Sequence, residues 1–164
     1  MAFATRSDLL ARSNARRLAQ LAVPADMDMV PDEALRIAIA GGDTAVFTVE
    51  QQQALTLALD AIDKALADAD ALILTYGIPA TVQTTLLARL ASTIALYYLQ
   101  GAERMTDDVR QAYDSAIKTL DHHAKGLLSL VPLDPAADAL LSSDLAIITS
   151  GPARFTAEAD SGDW

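Results

Sequence analysis

Residues 48–79 read TVEQQQALTLALDAIDKALADADALILTYGIP. Leu55, Ala58, Leu59, Ile62, Ala65, Leu66, Ala69, Leu72 and Ile73 recur at alternating spacings of three and four, the signature of one face of an α-helix. Asp60, Asp63, Lys64, Asp68 and Asp70 fall on the other face. Thr48 and Gln51 have the spacing of a capping box, in which each side chain satisfies a backbone N–H of the first turn. Tyr76-Gly77-Ile78-Pro79 supplies the stop, with glycine at the cap and proline behind it. One long amphipathic helix is predicted, and a helical neighbourhood must cover its apolar face.

The flanking segments provide that neighbourhood. Beyond Pro79, a helix starting near Thr81 to Thr85 turns Leu87, Leu90, Ala91, Ile94, Tyr97 and Tyr98 inward and ends at Gly101. Thr106-Asp107-Asp108 opens another, with acids at the positive end of the helix dipole. Its inward positions are Val109, Ala112, Tyr113, Ala116, Ile117 and Leu120, and Gly126 closes it. The loop between these two helices is short, so they are predicted to pack antiparallel.

Upstream, Thr5 to about Ala22 is helical, with Thr5 and Asp8 at its start, Leu9, Leu10, Leu18 and Leu21 making apolar contacts, and Ser13-Asn14 able to divide it in two. Residues 23–47 are irregular. Within them Pro31-Asp32-Glu33 suits a helix start, while the alternation of Leu35, Ile37 and Ile39 leaves helix and strand both open. After Gly126 the periodicity is lost. Residues 127–132 are a candidate short strand, residues 132–144 a Pro-, Asp- and Ser-rich linker, and residues 146–149 a second candidate strand. The expected fold class is therefore mainly α. It comprises a small helical bundle, residues 1–126 with an irregular insertion at about 23–47, and an extended C-terminal arm, residues 127–164, with room for short strands.

Composition removes whole classes of function. The chain has no cysteine, which excludes disulfides, thiolate metal sites and a cysteine nucleophile. Its opening residues are polar and basic rather than signal-like, and no apolar run approaches the roughly 18 residues of a membrane span. A soluble protein made in a cytoplasm is expected. With 12 basic against 22 acidic residues the net charge is −10, the wrong sign for neutralising phosphates, so no affinity for duplex DNA is expected. Arg12, Arg16 and Arg17 form the one basic cluster, read as a solvated face or a subunit contact.

No group of residues converges on a reaction. His122 and His123 are adjacent, so on a helix they point about 100° apart and do not share a metal as an i, i+4 pair does. They are read as polar residues at a helix C-terminus, favoured there by the dipole. Asp60 and Asp63 at i, i+3 are read as solvated charges, and Tyr97, Tyr98 and Tyr113 as core residues. No serine lies in a nucleophile elbow. No catalytic, cofactor-binding or metal-binding residue is assigned, and an enzyme is not expected.

The order of features resembles a known family. Thr5 to Leu9 (Thr-x-x-Asp-Leu), the helix of Leu57 to Ile73, Tyr76-Gly77-Ile78-Pro79, Ala95 to Leu99, Tyr113 to Leu120, Lys125 to Leu130, Ala153-Arg154-Phe155-Thr156 and Gly162-Asp163-Trp164 occur in the sequence of the Mu-like phage head–tail connector (adaptor, or head completion) proteins. The chain is similar to that family over nearly its whole length. It differs in a longer 26–47 segment and in an acidic tail bearing Glu158, Asp160 and Asp163.

The resemblance implies a structural virion protein made in the bacterial host and located in the neck. It implies a homo-oligomeric ring, a dodecamer, below the portal protein and against a further neck or tail protein. Genomic DNA would pass through its channel without specific binding, and neither membrane nor cofactor is involved. An arm without a core of its own needs a neighbour to order it. Ile147, Ile148, Arg154, Phe155 and Trp164 are the candidate portal or subunit contacts, with the two aromatics as anchors. Two other readings are kept. A stopper or tail terminator would be richer in strand, and a small helical regulatory or binding module would act as a monomer or dimer.

Overall fold

Alternating three- and four-residue spacings produce the longest element of the protein, α4, over Val49–Thr75. The computed structural model describes residues 3–101 and 105–132. Around α4 it places α1 (Arg6–Arg12), α2 (Ala15–Ala22), α3 (Asp32–Ile39), α5 (Thr85–Gln100) and α6 (Asp107–Ala124). Among the described residues there is no strand. These helices belong to one compact unit that closes at Pro132.

The helix starts are chemically explicit. The Thr48 hydroxyl accepts from the Gln51 N–H while the Gln51 side chain accepts from the Thr48 N–H, and Thr5 and Asp8 repeat the arrangement at α1. Ser13 ends α1, and the Asn14 side chain caps α2 by accepting from the Arg17 N–H at 2.7 Å. The division expected at Ser13-Asn14 is thus real. Thr84 caps α5 by accepting from the Leu87 N–H. At the other end of α4, Gly77 adopts φ +79°, a left-handed turn that lets Ile78 fold back into the core, 1% exposed.

α4 packs most extensively on α5, and α1, α2 and α3 complete the cover. Ala54, Leu55, Ala58, Ile62, Ala65, Leu66, Ala69 and Ile73 are buried on α4, close to the predicted face. Leu59 and Leu72 lie at its margin, partly covered. In α3 the helix prevails over the alternating pattern, because Ala34, Leu35 and Ala38 are the buried set while Ile37 is only partly covered.

Three expectations need correction. α6 packs chiefly on α5, so its covered stripe is narrow: Ala116 and Leu120 are buried, but Ala112 is exposed. Tyr97, Tyr98 and Tyr113 lie outside the buried core, with Tyr113 packed against its margin. Tyr97 and Tyr113 are partly covered and Tyr98 is 37% exposed, since Ile94 and Ala95 already occupy the inward positions of α5. Residues 127–132 form no strand. Gly126 turns the chain with φ +71°, the Leu127 N–H bonds back to the His122 carbonyl, and Leu130 enters the core at 5% exposure. The candidate strand at residues 146–149 lies outside the described residues.

Candidate assembly surface

Two long-range contacts fix the N-terminus on α4. Arg6 donates to both oxygens of Asp63, Nε to Oδ1 at 2.7 Å and Nη2 to Oδ2 at 2.5 Å. The Arg6 guanidinium holds the Asp63 carboxyl below its ordinary value, so Asp63, exposed as expected of a solvated charge, is ion-paired as well. The Phe3 N–H donates to Asp70 Oδ1 at 3.0 Å. Together these contacts set α1 in place, and with it the α1–α2 corner.

That corner forms one wall of a recess. Because Ser13 and Asn14 break the helix, Arg12 closes α1 and Arg17 enters the first turn of α2, and both line the same recess of about 350 Å³. Gln100 from the end of α5 and Asp108 from the start of α6 line the opposite side, with Leu21, Leu96 and Val109 as apolar wall. A wider cleft continues outward past Arg16, Arg17, Met27 and Met29. Arg12 Nη2 lies 3.5 Å from Thr93 Oγ1. Gln100 is 5% exposed, and its Oε1, like Ser13 Oγ, is buried without a hydrogen-bond partner.

On α5 and α6 a second feature is aromatic. Tyr97 and Tyr113 stack with ring centroids 3.9 Å apart and planes at 17°, and Tyr98 meets Tyr113 edge-on at 6.3 Å. Burial, then the neighbouring Tyr113, pushes the Tyr98 phenol up to about 12. Burial raises the Tyr76 phenol as well, with the Asp121 carboxylate of α6 adding to the effect. At the end of α6, His123 Nδ1 is 3.3 Å from the Leu130 N–H, which it can accept, and 3.2 Å from the Leu128 carbonyl. His123 therefore pins the segment after the helix, a more specific role than a polar residue near a helix end.

Of the basic cluster, Arg12 and Arg17 line the recess, and Arg16 lies with Arg17 on the outer cleft. Gln100, Asp108 and Ser13 were not legible as partners, because each has unremarkable neighbours in sequence. The candidate contacts Ile147, Ile148, Arg154, Phe155 and Trp164 lie outside the described residues. Among the described residues no group of three or more His, Asp or Glu side chains is placed to hold a metal ion. No described helix is long and apolar enough to cross a membrane.

No curated protein matches the chain. The family model described as "Bacteriophage Mu, Gp36" matches residues 3–145, a span that includes the six described helices and the recess they form. This phage protein therefore belongs to the Bacteriophage Mu Gp36 family.

Proposed function

We propose that the protein is a structural, non-catalytic virion component of a tailed phage. It is a head–tail connector adaptor that forms a ring below the portal, extends the DNA channel and joins head to tail. The observation that carries this reading is the family match across residues 3–145. A capped helical body gives a ring subunit a rigid frame. The recess, the Tyr97–Tyr98–Tyr113 cluster, and Leu127 and Leu128, 73% and 42% exposed, offer it lateral contacts. In the ring, most simply a dodecamer matching the portal, Ile147, Ile148, Arg154, Phe155 and Trp164 are the arm's contacts to the portal or to a neighbouring subunit. The negative charge of the chain suits a channel through which DNA slides without sticking.

The test is to delete residues 145–164 and measure both folding and head–tail joining, alongside capture of the portal subunit by the full chain. The expected outcome is a folded, soluble protein that leaves heads and tails unjoined, and a full chain that retains the portal. Normal virions from the shortened chain would remove the arm from the reading. Failure of the full chain to capture the portal, with no ring in images of the virion neck, would overturn the adaptor itself.

A further inference from the structure

We propose that the Arg12–Arg17–Gln100 recess receives the acidic segment 158–163 of a second copy of this chain. The inference deepens the ring reading above, because such a contact is head-to-tail and closes only when identical subunits are arranged around an axis.

Three observations lead to it. The first is charge. In a chain of net charge −10, Arg12, Arg16 and Arg17 gather around one recess and its outer cleft. Among the described residues the sole ion pair is Arg6 with Asp63, so none of the three meets a carboxylate there. The second is the orphaned Gln100 amide. A buried acceptor without a donor costs about 1–3 kcal/mol, and Oε1 of a residue only 5% exposed has none. A peptide in extended conformation carries main-chain N–H groups, the kind of donor that Gln100 Oε1 lacks. Its side chains meanwhile reach the arginines and the Leu21, Leu96 and Val109 wall.

The third observation is the chain's own composition. Residues 133–164 hold Asp134, Asp138, Asp144, Glu158, Asp160 and Asp163 against a single base, Arg154. Glu158 and Asp160 are two apart, so on an extended strand both carboxylates fall on one side, suited to one basic surface. The phosphates of duplex DNA would match the arginines but offer no N–H to Gln100 Oε1.

The test uses purified full-length chains in sedimentation velocity across a concentration series at low and high salt. Wild-type protein should self-associate, less so at high salt. Arg12→Glu with Arg17→Glu should weaken association about a hundredfold, at about tenfold for each charge-assisted hydrogen bond removed. Glu158→Arg with Asp160→Arg, remote from the helical body, should do the same. An equimolar mixture of the two variants should regain association, because each recess then meets an arm of opposite sign on the other variant.

Gln100→Leu should raise the Tm while weakening association, a divergence that simple loss of folding would not give. A chain that stays monomeric throughout overturns the proposal. So does a mixture that fails to regain association, or duplex DNA binding that is lost with Arg12→Glu and Arg17→Glu. Portal capture is measured separately and can succeed when this test fails, so the two readings stand or fall apart.

Discussion

Asp70 and Ile62 share a helix and illustrate opposite kinds of legibility. Burial raises the Asp70 carboxyl above its ordinary value, and the hydrogen bond from Phe3 only partly offsets that. A raised value means the folded state holds the Asp70 proton more tightly than the unfolded state does. Its ionisation therefore weakens the fold as pH rises through the folded value, and the effect vanishes below the ordinary aspartate range. Asp70→Asn keeps an acceptor for the Phe3 N–H, so it should leave the neutral-pH Tm unchanged or slightly higher, with the difference closing in acid. Asp70→Ala strands that N–H and should cost about 1 kcal/mol in denaturant unfolding. Ile62, fully buried, was readable from spacing alone. Ile62→Asp should cost more than about 4 kcal/mol or prevent folding, measured by thermal melting, because it buries an unpaired charge. The partners of Asp63 and Asp70 were not readable. They lie 57 and 67 residues away, and no local pattern encodes them.

At the scale of elements, the six helices were legible wherever a cap or a glycine stop marks an end, as at Thr5, Asn14, Thr48 and Gly77. Periodicity was less informative for α6, because it gives the direction of the apolar face but not how much neighbour is present to cover it. The tyrosines show this. Tyr97 and Tyr98 are successive on α5 and cannot both point inward, so they spread outward and Tyr113 of α6 closes over them. The stack then contributes to docking α6 on α5. A double-mutant cycle with Tyr97→Leu and Tyr113→Leu, read by urea unfolding, should give a coupling of about 0.5–1.5 kcal/mol. A coupling near zero would show that α6 is held by Ala116 and Leu120 alone.

For the molecule as a whole, the helical architecture followed from residues 5–126, whereas the recess did not, because it joins Arg12, Gln100 and Asp108 from three separate elements. The excess of acid over base was plain in composition, but its counterpart, a hollow whose arginines form no ion pair among the described residues, emerges only in three dimensions. Leu130 extends the body past its last helix. A chain ending at Pro132 should therefore melt cooperatively. One ending at Gly126 should be weaker by about 1.5–3 kcal/mol, the contribution of one buried leucine, as checked by denaturant midpoints. Among the described residues nearly half of the buried apolar positions are alanine, including Ala58, Ala69, Ala91 and Ala95. Alanine surrenders no rotamer entropy on folding, but it also hides little nonpolar area. Unfolding such a body hydrates less hydrocarbon than usual, so its heat-capacity increment should fall below the common range of about 12–15 cal/mol/K per residue. A small increment flattens the dependence of stability on temperature, leaving the folded body nearly as firm in the cold as at the warmth of a growing host.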